Sequence, residues 1–149
     1  MLRDIVFGGR RHFRELLANN DEGIASNILA NRLRKLVDEE LLTRADASRG
    51  QRAAYSLTEA GIQTVPIMVA LGAWGMTHRD TTPELTVRAR IMAEDPQLVH
   101  ELMDELRERH LGNPHHAAGG SRASERLRQA YLTELRSRGN AMSGRIAHR

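Results

Sequence analysis

The 149-residue chain contains no cysteine. Disulfide bonds, thiolate catalysis, thiol redox sensing and cysteine-based zinc sites are therefore excluded. No run of apolar residues approaches the ~20 that a membrane span requires, and the N-terminus lacks a signal-peptide pattern. Glycine loops that cradle phosphate and nucleophile–base pairs at motif spacing are also missing. We therefore expect a soluble, cytoplasmic protein that is not an enzyme, has no membrane partner and uses no cofactor or metal.

The formal charge of +3 is unevenly distributed along the chain. Residues 1–60 carry ten Arg and Lys residues against nine Asp and Glu residues, which is close to balance. Residues 112–149 carry seven Arg residues against two Glu residues, a local net charge of +5. A basic excess concentrated in a tail fits a polyanionic partner, although it does not identify one.

The segment from Ser26 to about Glu40 is the most informative about function. Four apolar side chains recur there at the spacing of a helix face that packs inward: Ile28, Leu29, Leu33 and Leu36. The opposite side carries amides and cations: Asn27, Asn31, Arg34 and Lys35. Asn and Arg can pair in bidentate fashion with adenine and guanine in a DNA major groove. The same pattern, taken alone, also fits an ordinary amphipathic helix with a solvated face.

The elements around this helix follow a recognisable order. Residues 1–8 look like the end of a helix stopped by Gly8 and Gly9, and "HFRELL" predicts a short helix. After the third helix, "LLTRADA" and "QRAAYSL" predict two strands joined by a turn at Ser48 to Gly50, with Tyr55 and Leu57 on one side. Three helices followed by a hairpin form the order of a winged helix-turn-helix.

The second half of the chain is predicted to be helical. Residues 58–78 should form one helix that is bent at Pro66 and apolar on two sides, so that a second subunit is expected to cover one of them. Further helices are predicted over residues 83–95 and 96–111, the latter capped by Asp95. Residues 112–121 read as a linker, residues 123–139 as an amphipathic helix, and the last ten residues as disordered.

Four linked motifs in this chain resemble the HxlR-type winged helix-turn-helix transcriptional regulators of bacteria. The motifs are "LRDIVFGGRRHFRELL", "EGIASNILANRLRKLVDEELLTR", "YSLTEAG" and "ALGAWGMTH", which together span roughly residues 2–78. The resemblance implies a homodimeric, sequence-specific regulator that binds double-stranded DNA and has no enzymatic activity. The expected fold is mainly α with a small β-hairpin wing, a winged helix-turn-helix with a C-terminal helical extension.

The resemblance also implies which residues contact DNA. It makes the segment that starts at Ser26 look like the recognition helix, with Ser26 among the contacting residues. Base-edge contact is expected from Asn27, Asn31 and Arg34, and phosphate or base contact from Arg32 and Lys35. Backbone contact is expected from Arg11, His12 and Arg14 of the preceding helix. Minor-groove or phosphate contact is expected from Arg49 and Arg52 in or beside the wing. Phosphate contacts supply most non-specific affinity, and base contacts supply discrimination.

Three regions are expected along the chain. Residues 1–79 form the DNA-binding domain, residues 80–111 a helical extension available for dimerisation, and residues 112–149 a basic linker and a partly disordered tail. Members of the family usually begin with an additional N-terminal segment, so the domain looks N-terminally shortened. Thiol-sensing members also keep a reactive cysteine near that region, and this chain has none.

Other functions stay open at this point. A degenerate winged helix could dock on a protein partner through residues 58–111 without binding DNA specifically. An unidentified small-molecule effector could bind the C-terminal helices, near Met68, Trp74 and Met76, although these residues more often form core or dimer contacts. The histidines of residues 110–116 lack carboxylates at helical spacing, which argues against a metal site.

Overall fold

The computed structural model describes residues 1–19, 23–45, 52–113 and 121–146, with side chains described as far as Gly139. Within these ranges the elements are α1 (Leu2–Val6), α2 (Phe13–Ala18), α3 (Ser26–Asp38), β1 (Leu42–Ala45), β2 (Ala54–Leu57), α4 (Glu59–Ile62), α5 (Val65–His78), α6 (Pro83–Glu94), α7 (Pro96–Leu111) and α8 (Ala123–Ile146). The chain folds as two compact units, Met1–Val65 with Met103–His116, and Pro66–Leu102 with Ala117–Arg149. The expected fold class, mainly helical with a two-stranded wing, is confirmed.

The helix-turn-helix of the first unit is held by apolar side chains on its inner faces. α1 ends where the glycine pair was predicted to stop it, and Gly9 has a φ of +62°, which glycine adopts without strain. α2 buries Leu16, and α3 buries Leu29 and Leu33, which are both fully inaccessible to solvent. α2 and α3 pack against each other, so the predicted order of helices is present.

The third helix ends earlier than predicted and turns sharply into the wing. α3 stops at Asp38 rather than Glu40. Glu40 adopts a φ of +55°, and the backbone N–H of Leu41 donates to the carbonyl oxygen of Leu36 at 2.9 Å. A non-glycine residue in this left-handed conformation costs about 1 kcal/mol or more. The reversed turn satisfies a carbonyl at the helix end and directs the chain into β1.

The wing is an antiparallel hairpin whose second strand is bonded on both edges. β1 and β2 pair in the register Leu42↔Leu57, Thr43↔Ser56, Arg44↔Tyr55 and Ala45↔Ala54. On the outer edge of β2, the backbone N–H of Tyr55 donates to the carbonyl oxygen of Arg11 at 2.8 Å. Tyr55 and Leu57 are buried on one side of the strand, as their alternation predicts.

The predicted single helix over residues 58–78 is instead two helices. Thr58 begins α4 by accepting a hydrogen bond from the backbone N–H of Gly61 at 3.0 Å. The chain then turns at residues 63–64, and α5 starts at Val65. Pro66 is therefore the second residue of a helix, where its missing N–H leaves no hydrogen bond unmade. The expected bend at Pro66 was wrong because the break precedes the proline.

The stretch Glu59–His78 is also more apolar than the sequence analysis allowed. An 18-residue window within these 20 residues has a mean hydropathy of 1.2, so the stretch is long and apolar enough to cross a membrane by length and composition alone. The indication is weak, because core helices of soluble proteins pass the same test. The turn between α4 and α5 also divides the stretch into two shorter helices.

In the second unit, α6 packs between α5 and α8. A Cβ added at Gly72 of α5 would lie 2.5 Å from the Cβ of Ala89 of α6, so these helices approach each other closely through small residues. α7 begins as predicted, with the Asp95 carboxylate accepting the backbone N–H of Leu98 at 3.1 Å. Four apolar residues that recur along α7 at helical spacing are buried: Leu98, Leu102, Met103 and Leu106.

The C-terminal tail is more ordered than expected. Residues beyond 139 continue α8 to Ile146, so the prediction that the last ten residues are disordered was wrong for residues 140–146. Ala123 and Leu127 of α8 are buried, whereas Leu135 on the same helix is 38% exposed. α8 packs along α6, an arrangement that local sequence patterns do not specify.

The two observed units divide the chain differently from the expected regions. Residues 66–79 belong to the second unit, although the sequence places them with the DNA-binding domain. Residues 103–111 belong to the first unit, although the sequence places them in the extension. The placement of residues 103–111 in the first unit has a clear cause. Arg107 forms an ion pair with Glu59 of α4, with 2.6 Å between its Nη2 and the carboxylate.

Candidate nucleic-acid interface

The outer face of α3 is polar, cationic and open to solvent. Six of the predicted DNA-binding residues are exposed on this helix: Ser26, Asn27, Asn31, Arg32, Arg34 and Lys35. Leu29 and Leu33 on the inner face are fully buried, and they fix the helix so that its polar side faces away from the protein. Ile28, which was expected to face inward, is 44% exposed. It therefore borders the polar face and does not contribute to the core.

Two of the predicted base-contacting side chains are joined to each other. The Nη1 of Arg34 donates to the Oδ1 of Asn31 at 3.1 Å. This hydrogen bond restricts the rotamers of the long arginine side chain while leaving its other N–H groups available. Asn27 instead accepts the backbone N–H of Ile28 through its Oδ1 at 2.9 Å. The arrangement presents one oriented guanidinium flanked by amides.

Arg11 and His12, expected to reach the DNA backbone, are used within the fold. The Nε of Arg11 donates to the carbonyl oxygen of Tyr55 at 3.1 Å, and its Nη2 donates to the Oγ of Ser56. The Nδ1 of His12 lies 3.3 Å from the carbonyl oxygen of Ala53. Both side chains therefore attach the start of α2 to β2. Their DNA contacts stay predictions, but each has a structural task that the sequence did not reveal.

Three arginines line a single cleft between α2 and the wing. The cleft has a volume of about 430 Å³, and its walls are His12, Phe13, Arg14, Arg44, Arg52, Ala53 and Tyr55. Arg14 and Arg52 were predicted to contact DNA, whereas Arg44 was not. The strand register could have indicated Arg44, because it lies directly opposite Tyr55 and so shares a face with it. Arg49, the other predicted wing residue, lies outside the described residues.

A second cavity lies beside the C-terminal half of α3. It has a volume of about 620 Å³ and is lined by Met1, Leu2, Arg32, Lys35, Leu36, Glu39 and Leu41. Its lining surface is mostly apolar, although three of the lining residues, Arg32, Lys35 and Glu39, are charged and exposed. The aliphatic stems of the two cations can therefore cover apolar surface while their charged groups stay in water.

α5 exposes an apolar stripe. Ile67, Leu71 and Trp74 lie at i, i+4 and i+7, and they are 67%, 65% and 47% exposed. The Trp74 ring stacks on His78 with 4.9 Å between ring centroids, and the guanidinium of Arg79 lies 5.3 Å from the Trp74 ring. Val65 and Val69 on the other side of the helix are buried. The helix is therefore apolar on two sides, as its sequence predicts, and the exposed side has no cover within the described chain.

Two arginines of the basic tail form ion pairs with other helices of the same unit. Arg126 of α8 lies 3.5 Å from the Asp95 carboxylate and 3.4 Å from that of Glu101, and Arg138 forms an ion pair with Glu84. In a further ion pair the acid is on α8 and the arginine on α6, since Arg90 lies 3.6 Å from the carboxylate of Glu134. Arg126 and Arg138 therefore serve helix packing at these positions.

His110 links α7 to the wing through a hydrogen bond that forms only when its ring is neutral. Its Nδ1 accepts the backbone N–H of Leu57 at 3.3 Å, which requires the neutral ring. Burial is the main cause that lowers the pKa of His110, and the positive charges of Arg11 and Arg109 act in the same direction, which together bring the pKa to about 4. Its Nε2 is buried without a hydrogen-bond partner in the described part of the chain.

We expect acidification to destabilise the protein through His110. The unfolded histidine binds a proton below pH ~6.5, whereas the folded one does so only near pH 4. Stability is therefore complete above the unfolded pKa and falls as the pH drops between these values, by about 1 kcal/mol per pH unit. Urea unfolding at pH 7 and pH 5 would measure the loss.

The matched variant for this measurement is His110→Gln, whose side-chain oxygen can accept the Leu57 N–H but cannot be protonated in this range. Its stability should change less than that of the wild type between pH 7 and pH 5. Equal changes in the two proteins would show that His110 does not contribute. Glu59, whose pKa is lowered chiefly by its hydrogen bond with Arg107, loses its stabilising effect only at lower pH.

No cluster of three or more His, Asp or Glu residues able to hold a metal ion occurs among the residues that the structure describes. His115 and His116 lie outside those residues. His110 is already bonded to the wing through Nδ1.

A short α2, an exposed α3 and a following two-stranded wing define a helix-turn-helix protein of the winged class. Residues 1–83 match the family model described as HxlR-like helix-turn-helix, and this chain belongs to that family. The resemblance inferred from the four sequence motifs is therefore confirmed.

Similar proteins are described as transcriptional regulators and not as enzymes. The chain is 36% identical over 104 residues to the uncharacterized HTH-type transcriptional regulator Mb3122 of Mycobacterium bovis, covering 66% of this chain and 64% of that protein. The regulator Rv3095 of Mycobacterium tuberculosis matches with the same identity and coverage. The chain thus spans slightly less than two thirds of these relatives. The crystal structure of PA1607, described as a candidate transcription factor, is 35% identical and covers 54% of each chain, with a TM-score of 0.48.

Proposed function

We propose that this protein is a cytoplasmic transcriptional regulator that binds double-stranded DNA sequence-specifically as a homodimer. The observation that carries the proposal is the orientation of α3, whose amides and cations are exposed while Leu29 and Leu33 are fully buried. A helix held in this way can enter a major groove without rearrangement of the core. Membership of a helix-turn-helix family supports the same function.

Base recognition is assigned to the side chains at the centre of the outer face of α3. Arg34 has the fork of donors that fits the O6 and N7 of guanine, and its bond to Asn31 holds that fork in place. Asn27 has a free amide nitrogen and suits adenine. Lys35 and Arg32 follow on the same exposed surface, where they contact phosphates or neighbouring bases.

The apolar stripe of α5, formed by Ile67, Leu71 and Trp74, is assigned to the dimer interface. Large apolar side chains at helical spacing are rarely left in water, and tryptophan is enriched at the centres of protein interfaces. A two-fold dimer would place two copies of α3 in successive major grooves, about 10 base pairs apart. The stripe also suits the alternative function, a winged-helix module that docks on another protein without specific DNA binding.

Fluorescence anisotropy titrations distinguish the two functions. Duplexes from the region upstream of the gene itself, and shuffled duplexes of equal composition, should be titrated at several salt concentrations from about 50 to 200 mM. We expect affinity to fall linearly with salt on logarithmic axes for both duplexes, with tighter binding to one native sequence. Absence of binding, or binding that does not respond to salt, would favour the docking module.

A further inference from the structure

We propose that Arg14, Arg44 and Arg52 hold a single backbone phosphate of the bound DNA in the cleft between α2 and the wing. This inference rests on the proposed function and adds Arg44 to the contacting residues. It identifies the ligand group as a phosphodiester. The two elements that flank the cleft would then be fixed to the same point on the duplex.

The walls of the cleft bring the three cations together from separate parts of the sequence. Arg14 comes from the first turn of α2, Arg44 from β1, and Arg52 from the segment before β2. All three are exposed, and all three line the same cavity of about 430 Å³. The floor is more rigid, because Tyr55 is buried and pairs with Arg44 across the two strands.

The charge of the cleft is uncompensated along its walls. No acidic side chain lines it in the part of the chain that the structure describes. Its acidic neighbour Glu15 interacts with the charge of Arg52, but its carboxylate is occupied by the backbone N–H groups of Arg11 and His12, both at 3.2 Å. Cations that converge without partners repel one another, and an anion between them relieves the repulsion.

The chemistry of the cleft fits a phosphodiester. A guanidinium donates two parallel N–H groups to the oxygens of an anion, and a phosphodiester offers two unesterified oxygens. The cavity is larger than one phosphate group and opens to solvent. A chain can therefore continue past the bound phosphate on both sides. Contacts of this kind set the position of a protein on DNA and carry no base information.

The test is the replacement Arg44→Ala, measured with native and shuffled duplexes across the same salt series. We expect about tenfold weaker binding to both duplexes and a reduction of the salt slope by less than one, because Arg14 and Arg52 still neutralise the shared phosphate. Arg44→Lys should keep most of the salt slope but lose part of the affinity, because an ammonium lacks the fork. Arg136→Ala removes an exposed arginine of α8, and it is the control for the loss of one positive charge.

A double variant tests whether the arginines share one phosphate. Arg14→Ala combined with Arg44→Ala should weaken binding less than the product of the two single effects. Arg44→Ala combined with Arg136→Ala should give the product. Thermal melting of each variant checks that it is folded, which we expect because Arg44 makes no intramolecular hydrogen bond or ion pair with the described residues.

Three outcomes would overturn the proposal in distinguishable ways. Unchanged affinity and salt slope in Arg44→Ala, with a wild type that binds duplexes, would remove Arg44 from the interface and leave the proposed function intact. A second outcome is that the wild type binds inorganic phosphate with a sub-millimolar dissociation constant, and that Arg44→Ala abolishes this binding but keeps its duplex affinity. This result would assign the cleft to a free anion. A wild type without salt-dependent duplex binding would overturn both the cleft and the proposed function.

Discussion

Replacing Arg34 with alanine is expected to remove most of the sequence preference of the protein. Arg34 is the exposed guanidinium that Asn31 orients on the outer face of α3. A bidentate arginine–guanine contact contributes about 1–3 kcal/mol to discrimination against the wrong base, which is roughly 5- to 150-fold in affinity. The affinity for shuffled duplexes should fall much less. Competition titrations with duplexes carrying single base-pair changes would measure both quantities.

Two variants separate base reading by Arg34 from its charge. Arg34→Lys keeps the charge but not the fork, so it should retain affinity for shuffled DNA and still lose preference at one base pair. Arg136→Ala, on α8, should change neither quantity by more than a small factor. If Arg34→Ala keeps the base preference of the wild type, the outer face of α3 does not read sequence and the assignment fails.

Features with a local cause in the sequence were predicted well. The apolar stripe of α3 requires only helical spacing, and Leu29 and Leu33 are buried as that spacing indicates. The start of α7 requires only a side-chain acceptor three residues before a free N–H, and Asp95 provides it. The wing strands follow from alternation around Tyr55 and Leu57. In each case the residues that produce the pattern lie within one segment of the sequence.

Features that depend on distant partners were missed. Arg11 resembles a surface cation in the sequence, but its guanidinium bonds to Tyr55 and Ser56, more than forty residues away. The arginines of α8 suggested a polyanion partner, yet Arg126 and Arg138 pair with acids on other segments of the same unit. The meeting of Arg14, Arg44 and Arg52 likewise exists only after folding. A sequence pattern reports the charge of such residues but not which partner neutralises it.

Replacing Leu71 with glutamate is expected to separate the proposed homodimer into monomers. Leu71 is the centre of the exposed stripe on α5, between Ile67 and Trp74. A carboxylate in an apolar interface loses its hydration without gaining a partner, so the dissociation constant should rise roughly 100-fold or more. Binding to a duplex with two half-sites should weaken with it, because the second half-site is no longer bound intramolecularly. Affinity for a single half-site should stay close to that of the wild type.

The chain offers a matched control on α6. Leu85 is 65% exposed, as is Leu71, but no other large exposed apolar side chain lies one turn from it on α6 in the described chain. Leu85→Glu therefore changes the same residue type at the same exposure without touching the stripe, and it should stay dimeric. Sedimentation velocity of the three proteins and titrations with one-site and two-site duplexes would test this. If both variants dimerise like the wild type, α5 is not the interface. If the wild type instead binds lipid vesicles through this stripe, the apolar stretch Glu59–His78 serves a membrane and not a second copy.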